Sequence, residues 1–183
     1  MRREIAVRAA KCWIPAASLL MAAVTAAHGQ APPRAAADTK TYTSKSWRWS
    51  VSYPSAWTVD AADPDQVRLR AAGGNASCSI MSGPMDRFNN VDELTDFMLA
   101  NDVQFFREKG HKLALVERRR ITLPGRVAAN DVLVDIGPGV RSRRGYVLAD
   151  GRGFAVDCEA SPGNWRSVEA DYQRVIASFT VRK

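Results

Sequence analysis

Residues 47–57 read Trp-Arg-Trp-Ser-Val-Ser-Tyr-Pro-Ser-Ala-Trp. Large apolar side chains stand at Trp47, Trp49, Val51 and Tyr53, with Arg48, Ser50 and Ser52 between them. An extended chain turns successive side chains to opposite faces, so this alternation specifies a strand with one face buried and one wet. A helix would scatter the same rings around its axis. Pro54 lacks the N–H a ladder needs, and Pro-Ser reads as a turn that brings Trp57 back onto the same core. The rest of the domain is expected to pack against this aromatic stripe.

The chain has 183 residues, the length of one domain with a tail. Residues 1–29 have the form of a signal peptide. Arg2, Arg3, Arg8 and Lys11 make a positive start, residues 14–27 are apolar, and Ala27-His28-Gly29 offers small residues for cleavage after Gly29. A membrane anchor is the competing reading, but the apolar run is short for a span and contains Pro15. Cys12 precedes that run, which argues against lipidation. Residues 30–38 read as an Ala/Pro linker, and 39–183 as the folded domain. A periplasmic or secreted location is expected, with no transmembrane segment after cleavage.

Export changes the meaning of the charge. The chain carries 26 basic and 19 acidic side chains; four of the basic and one of the acidic ones lie in residues 1–29, leaving a net +4. Two arginine clusters remain: Arg118, Arg119 and Arg120, and Arg141, Arg143 and Arg144. Solvated strand edges protected from pairing are one reading, and an anion or partner patch is the other. No nucleic-acid motif or aromatic interleaving accompanies them, so no nucleic-acid partner is expected.

Beyond the leader only Cys78 and Cys158 remain. Both lie in strand-like segments, and a pair in an oxidising compartment usually closes. Two buried free thiols are the alternative.

In chain order, residues 39–43 begin a strand ahead of the stripe, and 60–65 are polar and turn-prone. Residues 67–71 and 76–82 form a hairpin across Gly73-Gly74-Asn75. Asn90 with Glu93 resembles a capping box, opening a helix that ends near Gly110. Its stripe is Val91, Leu94, Phe97, Met98 and Phe105, with Leu99, Val103 and Phe106 beside it, so burial on more than one flank is expected. Asn101 reads as a core amide. Strands follow over 111–123, 127–136, 145–150 and 154–160, divided by Pro124-Gly125, Gly137-Pro138-Gly139 and Gly151-Arg152-Gly153. Ser161-Pro162 opens a last helix with Val168, Tyr172, Val175, Ile176 and Phe179 on one face. The fold class is α+β: an α/β/α sandwich with one antiparallel sheet of about six strands flanked by two main helices.

Tyr53-Pro54-Ser55-Ala56-Trp57 resembles a signature of the PsbP-like family, and Ile176-Ala177-Ser178-Phe179 is similar to the Ser-Phe with which its members tend to end. The likeness spans roughly residues 42–182. It implies an α/β/α sandwich around an antiparallel sheet, a fold shared with a Ran-binding nuclear import factor. It further implies roles that are mostly non-catalytic: an extrinsic photosystem subunit, an adaptor or a chaperone. None of the family's metal- or partner-binding residues matches a position here.

The same residues carry little that points to catalysis. His111, the only histidine beyond the leader, opens a strand as a surface side chain. No nucleophile elbow, phosphate loop or zinc spacing occurs. Asp150, Asp157 and Glu159 could gather around a hard cation, though solvated strand charges account for them more simply. No cofactor and no catalytic residue is assigned. The expected function is an exported, non-catalytic binding or adaptor module for an unidentified protein or small ligand of the envelope. It would bind through a sheet face or the cleft beside the long helix. The alternative is an enzyme using carboxylate, Arg and Tyr side chains alone, such as Tyr146 with Arg143 and Asp157.

Overall fold

The structure, a computed structural model, describes residues 38–182 apart from Pro64 and Pro138. The expected signal peptide over 1–29 and almost all of the expected linker lie outside the described residues. The aromatic stripe forms β2 (Trp49–Pro54), between β1 (Thr39–Ser44) and a short terminal β10 (Thr180–Val181). Trp49, Val51 and Tyr53 are buried, and Ser50 and Ser52 face the other way. Each such side chain contributes about 1.5–3 kcal/mol by leaving water. Trp47 falls in the turn before the strand, half-buried, and its indole N–H donates to Asp65 Oδ1 at 2.7 Å. Trp57 returns to the core as expected, its amide donating to the Pro54 carbonyl at 2.9 Å.

The stripe does not belong to the main sheet. Seven further strands form that one: β3 (Thr58–Asp63), β4 (Gln66–Arg70), β5 (Ala76–Pro84), β6 (Leu113–Leu123), β7 (Val127–Ile136), β8 (Val140–Ala149) and β9 (Arg152–Ala160). Their order is β3-β4-β5-β9-β8-β7-β6, antiparallel throughout. The expected two-helix α+β sandwich is present, with the smaller sheet as an additional layer. Residues 60–63, read from their polarity as a turn, are an exposed edge strand instead. β8 begins earlier than its sequence suggests, because α1 (Val91–Glu108) covers one of its faces and α2 (Pro162–Ala177) the other. A strand covered on both faces loses its polar alternation. Asp150 and Gly151, both at positive φ, make the tight β8–β9 turn that a two-residue hairpin requires.

One core lies between the main sheet, α2 and the small sheet. Trp49 stacks on Phe179 at 5.5 Å, Phe179 meets Phe154 at 5.4 Å, and Trp57 meets Tyr172 edge-on at 6.1 Å. A second, smaller core forms beneath α1, where Val91 packs with Val132, Val134, Ile136, Tyr146 and Ala155. The helix is capped as its sequence suggests. Asn90 Oδ1 accepts from the backbone amides of Asp92 and Glu93, while the Glu93 carboxylate accepts from the backbone amide of Asn89 and the side-chain amide of Asn90. Burial along α1 is confined to one flank: Val103 and Phe105 are exposed, and so is Asn101, which is no core amide.

Cys78 and Cys158 sit directly opposite one another on β5 and β9, with Cα atoms 3.9 Å apart, and are joined by a disulfide. Among the described residues no helix is long and apolar enough to cross a membrane.

Candidate functional site

α1 packs over β6, β7 and β8 and leaves the same face of β9 and β5 open, so a cleft runs beside the helix. Strand alternation puts Tyr146 of β8, Ala155 of β9 and Met81 of β5 on this face. Leu94 and Met98, one turn apart on α1, form its wall. The chain after β5 adds Met85, whose amide donates to the Gly151 carbonyl at 2.8 Å, pinning the loop to the β8–β9 turn. The resulting cavity holds about 200 Å³ and is lined by Met81, Met85, Leu94, Met98, Tyr146 and Ala155 with neighbouring backbone. Nearby the Arg87 guanidinium lies 4.2 Å from the Phe97 ring centroid. Met81, Met85 and Met98 are all the methionines that residues 38–182 contain.

Deeper along the face is a buried polar network. The Arg144 side chain is 4% exposed, pairs with Asp102 of α1, and lies 3.3 Å from Asp157 of β9. Its Nε donates to Ser142 Oγ at 3.0 Å, and that hydroxyl in turn donates to Asp157. The Tyr146 hydroxyl stands 3.5 Å from both Asp102 and Arg144. Burial disfavours the guanidinium, yet the charges of Asp157 and Asp102 outweigh it and hold Arg144 firmly charged. Burial pushes the Tyr146 phenol up to about 12 against the opposing pull of Arg144, so it enters the cleft as a neutral O–H.

The six arginines of the two clusters are divided between the faces of the sheet. Arg118, Arg120 and Arg144 lie on the α1 face, where Arg118 meets Asp92 and Asp96 and Arg120 meets Asp92. Arg119, Arg141 and Arg143 lie on the α2 face. Arg141 pairs with Asp135 at 2.6 Å; Asp131 takes Arg143 at 2.6 Å and Arg119 at 2.7 Å. Adjacent arginines on a strand cannot share a face, and each of the six engages a carboxylate. The grouping of Tyr146, Arg143 and Asp157 is likewise divided: Tyr146 and Asp157 meet Arg144, while Arg143 is on the other side. Asp102 escaped the reading of the sequence, although Leu94, Met98 and Asp102 follow one another at four-residue spacing, which puts a carboxylate on the buried stripe. Asp150 pairs with Arg152 at the turn, away from Asp157 and Glu159. Among the described residues, no three His, Cys, Asp or Glu side chains group as metal ligands.

No protein-family model and no curated protein sequence matches the chain. Solved structures do match its fold. Cyanobacterial PsbP (CyanoP) from Synechocystis sp. PCC 6803 superposes with a TM-score of 0.63 at 14% identity, over 85% of this chain and 99% of that one. The Ran-binding protein Mog1p of Saccharomyces cerevisiae gives 0.57 at 11% identity, over 80% and 96%. A Pseudomonas aeruginosa protein of unknown function gives 0.53 at 16% identity, over 79% and 98%. The architecture implied by the Tyr-Pro-Ser-Ala-Trp and Ser-Phe motifs is therefore the one the chain adopts: it has the α/β/α sandwich fold of PsbP and Mog1p.

Proposed function

We propose that the chain is an exported, non-catalytic binding module whose ligand or partner inserts an uncharged apolar group into the methionine-lined cleft beside α1. The observation that carries this reading is the gathering of Met81, Met85 and Met98 around one cavity. Thioether side chains are flexible and polarisable, and line surfaces that must adapt to what they hold. The cavity of about 200 Å³ exceeds the ~150 Å³ that accommodates benzene in an engineered protein cavity. A ring or a branched aliphatic group therefore suits it. The buried network nearby is already closed on itself, and its Arg144–Asp102 pair ties α1 to the sheet. A fold neighbour that is a Ran-binding protein supports a binding role for this architecture. Export is supported by the leader-like residues 1–29 and by the Cys78–Cys158 bridge, a linkage typical of oxidising compartments.

The test uses the exported protein with ¹³C-labelled methionine methyl groups and indole as the probe. All three resonances are expected to move together along one saturable curve; three unmoved signals at millimolar indole overturn the reading. N-terminal sequencing of the same material is expected to begin at Gln30, and retention of residues 1–29 refutes export by this leader.

A further inference from the structure

The cleft beside α1 is apolar within and carries one uncommitted cation at its rim. The Phe88 amide donates to the Met85 carbonyl at 3.2 Å, closing a turn that sets Arg87 two residues past a methionine of the cavity wall. Round α1, Thr95 and Asp102 face the sheet, and Met98 and Leu94 come next towards the cleft. At roughly 100° per residue, Phe97 lies about 60° beyond Leu94, on the outer lip. The Arg87 guanidinium rests there against two rings, 4.2 Å from the Phe97 centroid and 4.8 Å from that of Phe88. Ring faces attract and hold such a cation. Among the described residues no carboxylate pairs with it. The acids nearest in the chain are engaged elsewhere. Glu93 accepts from Asn89 and Asn90, Asp92 takes Arg118 and Arg120, and Asp96 takes Arg118. Asp86 lies against Gly151 of the β8–β9 turn.

We infer that the ligand of this cleft is a small monocarboxylate, its apolar end in the methionine-lined cavity and its carboxylate held at the rim by Arg87. This rests on the cleft reading above and adds the charge of the ligand to it. A guanidinium presents a fork of N–H donors that matches the two oxygens of a carboxylate. Those of Arg87 are spent on no protein carboxylate, and the two rings place them beside the cavity mouth. Arg68 and Arg70, the exposed arginines of β4 on the same face of the sheet, are a poorer anchor. Arg68 stands opposite Asp60 of β3 on one side and Ser79 of β5 on the other, and Ser79 stands opposite Asp157. Acids therefore offset that part of the face.

The probes are indole, indole-3-propionate and tryptamine, which share a ring and differ in charge. Each is titrated against the methionine methyl resonances of the exported protein. Indole-3-propionate is expected to bind about tenfold more tightly than indole, and tryptamine no more tightly than indole. Added salt should shrink the advantage of the carboxylate. Arg87→Gln should bring the ratio of the propionate and indole affinities to about one, and Arg87→Lys should restore part of it, with circular dichroism spectra unchanged. Arg68→Gln with Arg70→Gln should leave the ratio at its wild-type value. Failure of indole itself to bind overturns the cleft reading and this inference together. Indole binding without any gain from the carboxylate overturns this inference alone. So does tighter binding of tryptamine than of the propionate, or a ratio that survives Arg87→Gln and is lost in the Arg68 and Arg70 double variant.

Discussion

Ser178 and Ser52, far apart in sequence, are hydrogen-bonded: the Ser178 hydroxyl accepts from the Ser52 amide at 2.9 Å and lies 3.2 Å from its carbonyl. The next residue, Phe179, stacks on Trp49 of the same strand. The Ser-Phe motif thus meets the strand that leads into the Tyr-Pro-Ser-Ala-Trp motif, and the end of α2 is sewn onto β2.

Ser178→Ala leaves the Ser52 amide, partly buried, without this acceptor. An unsatisfied donor costs about 1–3 kcal/mol, so urea unfolding of the variant should show a lower midpoint with an unchanged slope.

Gly153 lies under Met85, and a Cβ there would stand 2.4 Å from Met85 Cγ and 3.0 Å from its Cβ. Gly153→Ala must displace Met85 from the cleft. The expected cost is about 1–3 kcal/mol, with weaker indole binding and a shifted Met85 methyl resonance as the accompanying signs.

The bridge between Cys78 and Cys158 closes a separation of 80 residues. In the chain-entropy description that is worth up to about 4.5 kcal/mol. Denaturation with and without reductant measures it; both thiols reacting with a thiol reagent in the native exported protein would show that the bridge is absent there.

Arg143 is 2% exposed and is held by Asp131, itself buried. Removing Arg143 leaves that buried carboxylate with only the half-exposed Arg119, and breaking a buried pair costs up to about 3–5 kcal/mol. Arg143→Met together with Asp131→Leu should recover much of the loss, whereas Arg119→Ala, on the exposed arm of the same carboxylate, should change stability little. Urea titrations of the three variants decide this.

Burial, reinforced by the charge of Asp157 and opposed by Arg144 and Arg68, raises the Glu159 carboxyl above its ordinary range. Its ionised form therefore weakens the fold at neutral pH. That penalty fades as pH falls through the raised folded value and is gone below the unfolded value of about 4.3. Glu159→Gln should be more stable than wild type at pH 7, with the difference shrinking on acidification. Asp135, lowered chiefly by its hydrogen bond to Arg141, acts oppositely: its contribution is present above the unfolded value of about 3.9 and is lost as pH falls towards its lowered folded value. Thermal melts across the acid range should show Asp135→Asn flattening that loss.

Local patterns carried the elements. Period two at 49, 51 and 53 specified β2, four-residue spacing specified both helices, and Pro-Gly and Gly-Gly pairs marked turns, because each depends on side chains close in sequence. The family-like motifs and the α+β class were legible for the same reason. Tertiary structure alone decided that β2 lies in a separate small sheet, since strand pairing is settled between residues far apart in the chain. It also decided that Arg143 and Arg144, neighbours in sequence, are buried on opposite faces with different carboxylates, and that three scattered methionines meet in one cleft. Burial on both faces erases the alternation that would mark the first half of β8 as strand, and Met81, Met85 and Met98 share no spacing that would announce their meeting.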